Sequence, residues 1–288
     1  MISFTRKNKK DTIRLNQEGE VPYFYFPLLQ DTGLVHHGFS TRLGGVSSGE
    51  FASMNFNMTR GDDLSNVEEN FRRFCRAVGC DWEKAILSHQ THTVNVQAVT
   101  EDMIKPGRTL MEKKPFTDVD GLITEVPEAV LVTSFADCVP LYFLDPVRHV
   151  IGLSHSGWRG TVNHMGEVTV NRMKETYGSR PEDILACIGP SICRDCYEVG
   201  PEVAEAFQTA FSGKEADQIL QKNAAGKYQL DLWKANEQIL LNAGISEEHI
   251  AVTNVCTCCN PELLFSHRYT KGRRGNLSAF LSLCGQDE

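Results

Sequence analysis

The sequence predicts an α+β fold with mixed β-sheets. Apolar runs of strand length gather in the middle of the chain, at residues 129–135, 141–144 and 150–154. Amphipathic helices, the clearest over 64–78, lie between other strand-like runs. The two kinds of element interleave without a strict strand–helix–strand rhythm, which disfavours a doubly wound parallel sheet.

The first twenty residues are polar, and little fixed structure is expected of them. Residues 21–26 are aromatic and β-prone, with Pro22 marking an edge or the start of a strand. A strand over 36–41 runs into the Gly- and Ser-rich loop 42–49. In the 64–78 helix, Leu64, Val67, Phe71, Phe74 and Val78 form one apolar stripe, and Ser65 with Glu68 fits a capping box. Val94, Val96 and Ala98 alternate with polar residues, the period of a half-buried strand. After the central strands, a turn at 156–160 leads into a helix with Val162, Met165, Thr169, Met173 and Tyr177 on one face. A strand at 184–188, helices near 203–211 and 232–241, and strands near 250–255 and 277–283 complete the chain. Repeats, low-complexity tracts and linker-like breaks are absent, so residues 1–288 read as one domain.

Lys and Arg number 29 against 37 Asp and Glu, a formal net charge of −8. An acidic chain is a poor partner for nucleic acid or an anionic membrane. No run approaches the ~18 apolar residues of a membrane span. The N-terminal segment has no apolar core of a secretory signal. The ten cysteines are therefore expected to be thiols in a reducing cytoplasm.

Three short segments place metal-type ligands where strands end: Ser88-His-Gln-Thr-His92, Ala136-Asp-Cys138 and Ser154-His-Ser-Gly157. Two imidazoles and a thiolate suit zinc, with copper as the alternative. Three ligands from distant segments leave a fourth position open, the pattern of a catalytic site. Taken singly, Cys138 also fits a buried inert thiol and each His a hydrogen-bonded core residue. Asp137 is a candidate orienter or proton carrier beside Cys138, or a carboxylate capping the next turn. Arg42, Arg159 and Arg268 stand in Gly-containing surroundings that suit a phosphate. P-loop, GxGxxG and GxSxG fingerprints are missing. Cys193-Arg-Asp-Cys196 and Cys256-Thr-Cys-Cys259 could hold a four-sulfur zinc. The second group reads as CxCC, however, and the separation is not that of a zinc ribbon, so packed thiols are the expectation.

Together and in this order, these segments resemble the YfiH-type, laccase-domain family of zinc purine nucleoside phosphorylases, once labelled multicopper polyphenol oxidases. The resemblance rests on HGFSTRLGGVSSGEFASMNFN (37–57), QTH (90–92), DVDGLIT (118–124), TSFADCVPLYFLDP (133–146), IGLSHSGWRGTV (151–162), IGPSIC (188–193), CYEVG (196–200) and LLFSHRYTKGRRG (263–275). It implies two packed mixed sheets flanked by helices, a four-layer α/β/β/α arrangement shared with some cysteine-dependent toxins. It implies zinc on His92, Cys138 and His155. It implies phosphorolysis of adenosine, inosine, guanosine and methylthioadenosine, with adenosine deamination beside it. Arg42, Arg159 and Arg268 would then fix the phosphate, and Asp137 would support the catalytic ligands. Tyr269 stands where the family usually carries a second arginine, and Thr91 where an aliphatic residue is usual. Two alternatives stay open: a copper-dependent polyphenol oxidase, and a cysteine-type amide hydrolase editing cell-wall precursors. The first wants many clustered histidines, and the chain has nine in all. The second requires a Cys138 free of metal.

Overall fold

The computed structural model describes residues 2–285. Among them, seven strands form one mixed sheet in the order Arg14–Asn16, Tyr23–Tyr25, Val35–Ser40, Leu277–Leu283, Val130–Phe135, Ala85–His89 and Phe116–Thr117. Six strands form a second, in the order Ile250–Val252, Leu185–Ile188, Val139–Asp145, Val150–Ser156, Gly121–Thr124 and Val96–Ala98. A small third sheet joins Glu198–Val199, Tyr228–Leu230 and Leu220–Lys222.

The period-2 alternation of strands explains the layering. Leu131, Phe135 and Leu281 of the first sheet meet Leu122, Tyr142, Leu144 and Leu153 of the second in a shared core. The intervening residues face outward. Val130, Val132 and Phe280 pack under Phe71 and Phe74 of the helix Leu64–Val78. Ile123, Leu141 and Phe143 pack under helices Met165–Tyr177, Pro201–Ala210 and Leu232–Asn242, through Met173, Phe207 and Ile239. Helix, sheet, sheet and helix thus stack as four layers. Each fully buried side chain of this size stabilises the fold by roughly 1.5–3 kcal/mol. Tyr142 crosses the shared core to donate its hydroxyl to the Gly38 carbonyl, 3.0 Å away, so its own polar atom is satisfied there.

Local chemistry moved several expected boundaries. The helix over 64–78 is capped by Asp63, whose side chain accepts from the Ser65 amide. The expected capping box does not form, and Glu68 pairs instead with Arg72 one turn on, at 2.8 Å. The single helix expected beyond residue 160 is two, Trp158–Val162 and Met165–Tyr177, because His164 between them adopts a left-handed φ of 57°. The first twenty residues differ most from expectation. They contribute the edge strand Arg14–Asn16 and the fully buried Ile13, and Arg6 donates to the Ile13 carbonyl and to Asn254. Among the described residues no helix is long and apolar enough to cross a membrane.

Candidate functional site

The two sheets meet where strand Val130–Phe135 ends and residues 136–138 carry the chain across to Val139–Asp145. Cys138 therefore sits at the crossing. His155 pairs with Pro140 on the neighbouring strand, which brings it to the same end of the second sheet. His92 follows Ala85–His89 in a loop and holds a left-handed φ of 66°. The donor atoms of His92, Cys138 and His155 all lie within 4.8 Å of one another. Cys138 Sγ is 4.0 Å from His92 Nε2, and the two imidazoles stand edge to face with centroids 5.0 Å apart. Gly157 closes the group from below. A Cβ there would lie 2.9 Å from His92 Cδ2 and 3.1 Å from Cys138 Sγ, so only a glycine lets the backbone approach.

Asp120, fully buried, organises this trio. Its Oδ1 is 2.8 Å from His155 Nδ1. The same carboxylate accepts from the amides of Thr91, His92 and Thr93 and from the Thr93 hydroxyl, so one side chain orients one imidazole and shapes the loop bearing the other. With Nδ1 engaged, His155 has Nε2 left for a ligand, the usual support for a metal-binding imidazole. Burial works against the Asp120 carboxylate, but His155 and the loop amides outweigh it and hold it down at about 2. Burial lowers His155, yet the Cys138 thiolate and Asp120 raise it to about 9. Burial raises Cys138, and the two imidazoles bring it down to about 6. Near neutrality the sulfur is thus a thiolate, the form that ligates metals or attacks electrophiles. Asp120→Asn is expected to weaken divalent-metal binding by about 10–100-fold, measured by competition with a chromophoric chelator. An unchanged affinity would deny Asp120 its orienting role.

The trio lines a cavity of about 240 Å³ that also takes in Arg60, Lys114 and Arg274. Arg274 is only 8% exposed, and its Nε has no hydrogen-bond partner. One of its terminal nitrogens donates to the Gly275 carbonyl and to Asn276. Burial and the nearby Arg60 pull its guanidinium down to about 10, against the opposing pull of Asp137 and Cys138. Two like charges, Arg60 and the buried Arg274, thus line the cavity beside the trio.

Residues 36–284 match the family model described as multi-copper polyphenol oxidoreductase laccase. The chain belongs to this family. It is 37% identical over 247 residues to the purine nucleoside phosphorylase YlmD of Bacillus subtilis, covering 85% of this chain and 87% of that one. It is 32% identical over 231 residues to an adenosine deaminase, RL5, of an unknown prokaryotic organism, covering 80% and 87%. The crystal structure of YlmD from Geobacillus stearothermophilus superposes with a TM-score of 0.87 at 31% identity, covering 96% of this chain and all of that one.

Of the residues singled out in the sequence of this laccase-family chain, His92, Cys138 and His155 come together. Asp137 does not touch them through its carboxylate. Oδ1 accepts from Thr257 Oγ1 at 2.6 Å and Oδ2 from the Arg268 amide at 2.7 Å, so the side chain braces the turn entering helix His267–Thr270. Arg42 is not a free anion ligand. Its guanidinium donates to the carbonyls of Ala52 and Pro261 and lies over the Phe265 ring, tying loops together. Arg159 is exposed and folds over Trp158. Arg268 donates to the Glu198 carbonyl and lies over Tyr197. Burial pushes the Tyr197 hydroxyl up, with the Cys138 thiolate adding to the rise and Arg268 opposing it. Tyr269 is 57% exposed, and the Thr91 hydroxyl donates to Asp118. Asp120, Arg60 and Arg274 escaped the sequence analysis. Asp120 lies in the DVDG approach to a strand, and Arg274 in a loop already noted for glycine and arginine. Nothing in the sequence distinguishes Arg60.

Proposed function

We propose that this chain is a zinc-dependent purine nucleoside phosphorylase acting on adenosine, inosine, guanosine and methylthioadenosine, and that it also deaminates adenosine. The observation that carries the reading is the shared cavity, which is lined both by an open three-donor site and by the basic Arg60 and the buried Arg274. The names of the similar proteins, a phosphorylase and a deaminase, agree with it. His92, Cys138 and His155 would hold the cation, a borderline donor set that suits zinc. When bound, the cation supplies Lewis acidity at its open face.

The chain's own groups do the rest. Arg274 and Arg60 would hold phosphate beside the ribose C1′, taking the part first expected of Arg42, Arg159 and Arg268. Charge-assisted donors of this kind fix both the position and the orientation of the nucleophile. Asp120 keeps His155 in one tautomer and holds the His92 loop in place. Asp137 keeps the crossing peptide and the Arg268 turn in register. Polyphenol oxidation by several coppers is less well supported, because only one cluster of metal-type donors among the described residues contains histidine. The amide-hydrolase reading draws on the lowered Cys138, but two imidazoles around one sulfur suit a ligand set better than a nucleophile with one base.

The decisive assay gives adenosine to metal-characterised protein with and without phosphate. Free adenine and ribose 1-phosphate are expected only with phosphate, and inosine in both cases. Unchanged adenosine and inosine in excess phosphate would end the reading.

A further inference from the structure

The thiols expected to be mere packing gather in one place. Strands Leu185–Ile188 and Ile250–Val252 run parallel as neighbours, and a bridge between Ser191 and Cys256 continues the pairing beyond them. Each then turns into a cysteine pair. Cys193 and Cys196 form one C-x-x-C, and Cys256 and Cys259 form another once Cys258 is set aside. The four Sγ atoms lie within 4.8 Å of one another, with Cys196 and Cys259 at 3.4 Å. A zinc at ~2.3 Å from each of four sulfurs sets them about 3.8 Å apart, inside this range.

The surroundings fit thiolates better than apolar packing. The Cys193 amide donates to Cys256 Sγ at 3.2 Å. Lys7 Nζ lies 4.0 Å from Cys259 Sγ and 2.7 Å from the Asp195 carboxylate, bringing positive charge to a group whose four thiolates would exceed a divalent cation's charge by two.

We propose that Cys193, Cys196, Cys256 and Cys259 bind a second metal ion, a zinc closed off by four thiolates. Unlike the His92 centre it leaves no open position, so its role is structural. What it holds is specific. The Ile192 amide donates to the Asp137 carbonyl, and the Thr257 hydroxyl to the Asp137 carboxylate. One residue from a proposed ligand on each side, these bonds fix the peptide that precedes Cys138. The N-terminal segment crosses the cluster through Lys7, which places the first residues in the same assembly.

The full chain is loaded with zinc alone, desalted and assayed for metal. About two zinc ions per chain are expected for the wild type, and about one for both Cys138→Ala and the Cys256→Ser/Cys259→Ser double variant. Cobalt in Cys138→Ala should show the intense visible bands of a tetrahedral tetrathiolate site. Because the double variant could fail to fold, alkylation mapped by mass spectrometry on the wild type is a second measure. All four cysteines should be protected with zinc bound and become reactive when a chelator removes it. A metal-free Cys138→Ala protein, a disulfide among the four, or alkylation indifferent to zinc would overturn the proposal. Loss of the His92 centre alone would leave one zinc in the wild type and in Cys138→Ala and none in the double variant, so the two sites fail separately.

Discussion

Cys138→Ala is expected to abolish both phosphorolysis and deamination, lowering each by about three orders of magnitude or more, since the Lewis acidity of a bound cation is worth several kcal/mol and each 1.4 kcal/mol is tenfold. Cys138 is the only sulfur in the trio and sits between its two imidazoles. Without it two neutral donors remain, and an anionic ligand that offsets the cation's charge is gone. Asp120 still holds His155, and the strands that carry the site are unaltered, so the far-ultraviolet circular dichroism should not change. Metal content read alongside turnover separates the explanations. A ligand role removes the metal of the His92 centre together with activity, whereas a nucleophile role removes activity from a protein that keeps that metal. Near-wild-type turnover would exclude both.

Arg274→Ala is expected to separate the two reactions. Phosphorolysis should fall about 100-fold in kcat/KM for phosphate, in keeping with the loss of one or two charge-assisted hydrogen bonds at ~1.5–3 kcal/mol each. Deamination, which uses water, should fall by less than about tenfold. Both are measured on one preparation from adenosine, as adenine and inosine. The thermal midpoint should change little, because loss of the bonds to Gly275 and Asn276 is offset by removal of a buried cation that Arg60 repels. Equal loss of both activities would place Arg274 at the nucleoside and not at the phosphate.

The layered core was legible because its strands are buried on both faces. Most of Val130–Phe135, Val139–Asp145 and Val150–Ser156 reads as apolar runs, broken by few polar residues, as such strands tend to be. Strands of two residues, such as Phe116–Thr117 and Glu198–Val199, are too short to carry a period, and they were missed. The break at His164 was hidden because the apolar stripe continues across it. At the site, the three ligands could be picked out as soft donors at strand ends. Asp120 could not, since its role exists only where its carboxylate meets the 91–93 loop and His155. Arginine was legible as a residue type but not as a position. Arg268 and Arg274 share one Gly- and Arg-containing stretch, and only burial tells them apart. The pairing of the thiols was not legible for a related reason: which cysteines of 256–259 lie together depends on how two parallel strands set them opposite 193–196.

Gly157 contributes no atom to any of this chemistry, yet its position is defined by it. The space a single methyl group would need is taken by a His92 ring carbon and the Cys138 sulfur. An inventory of functional groups passes over such a residue. In a mutational scan it would behave like a ligand: the smallest possible enlargement pushes two donors apart, and the injury registers in turnover before it registers in folding. At this one position, tolerance to change measures the neighbours' work and not the residue's own.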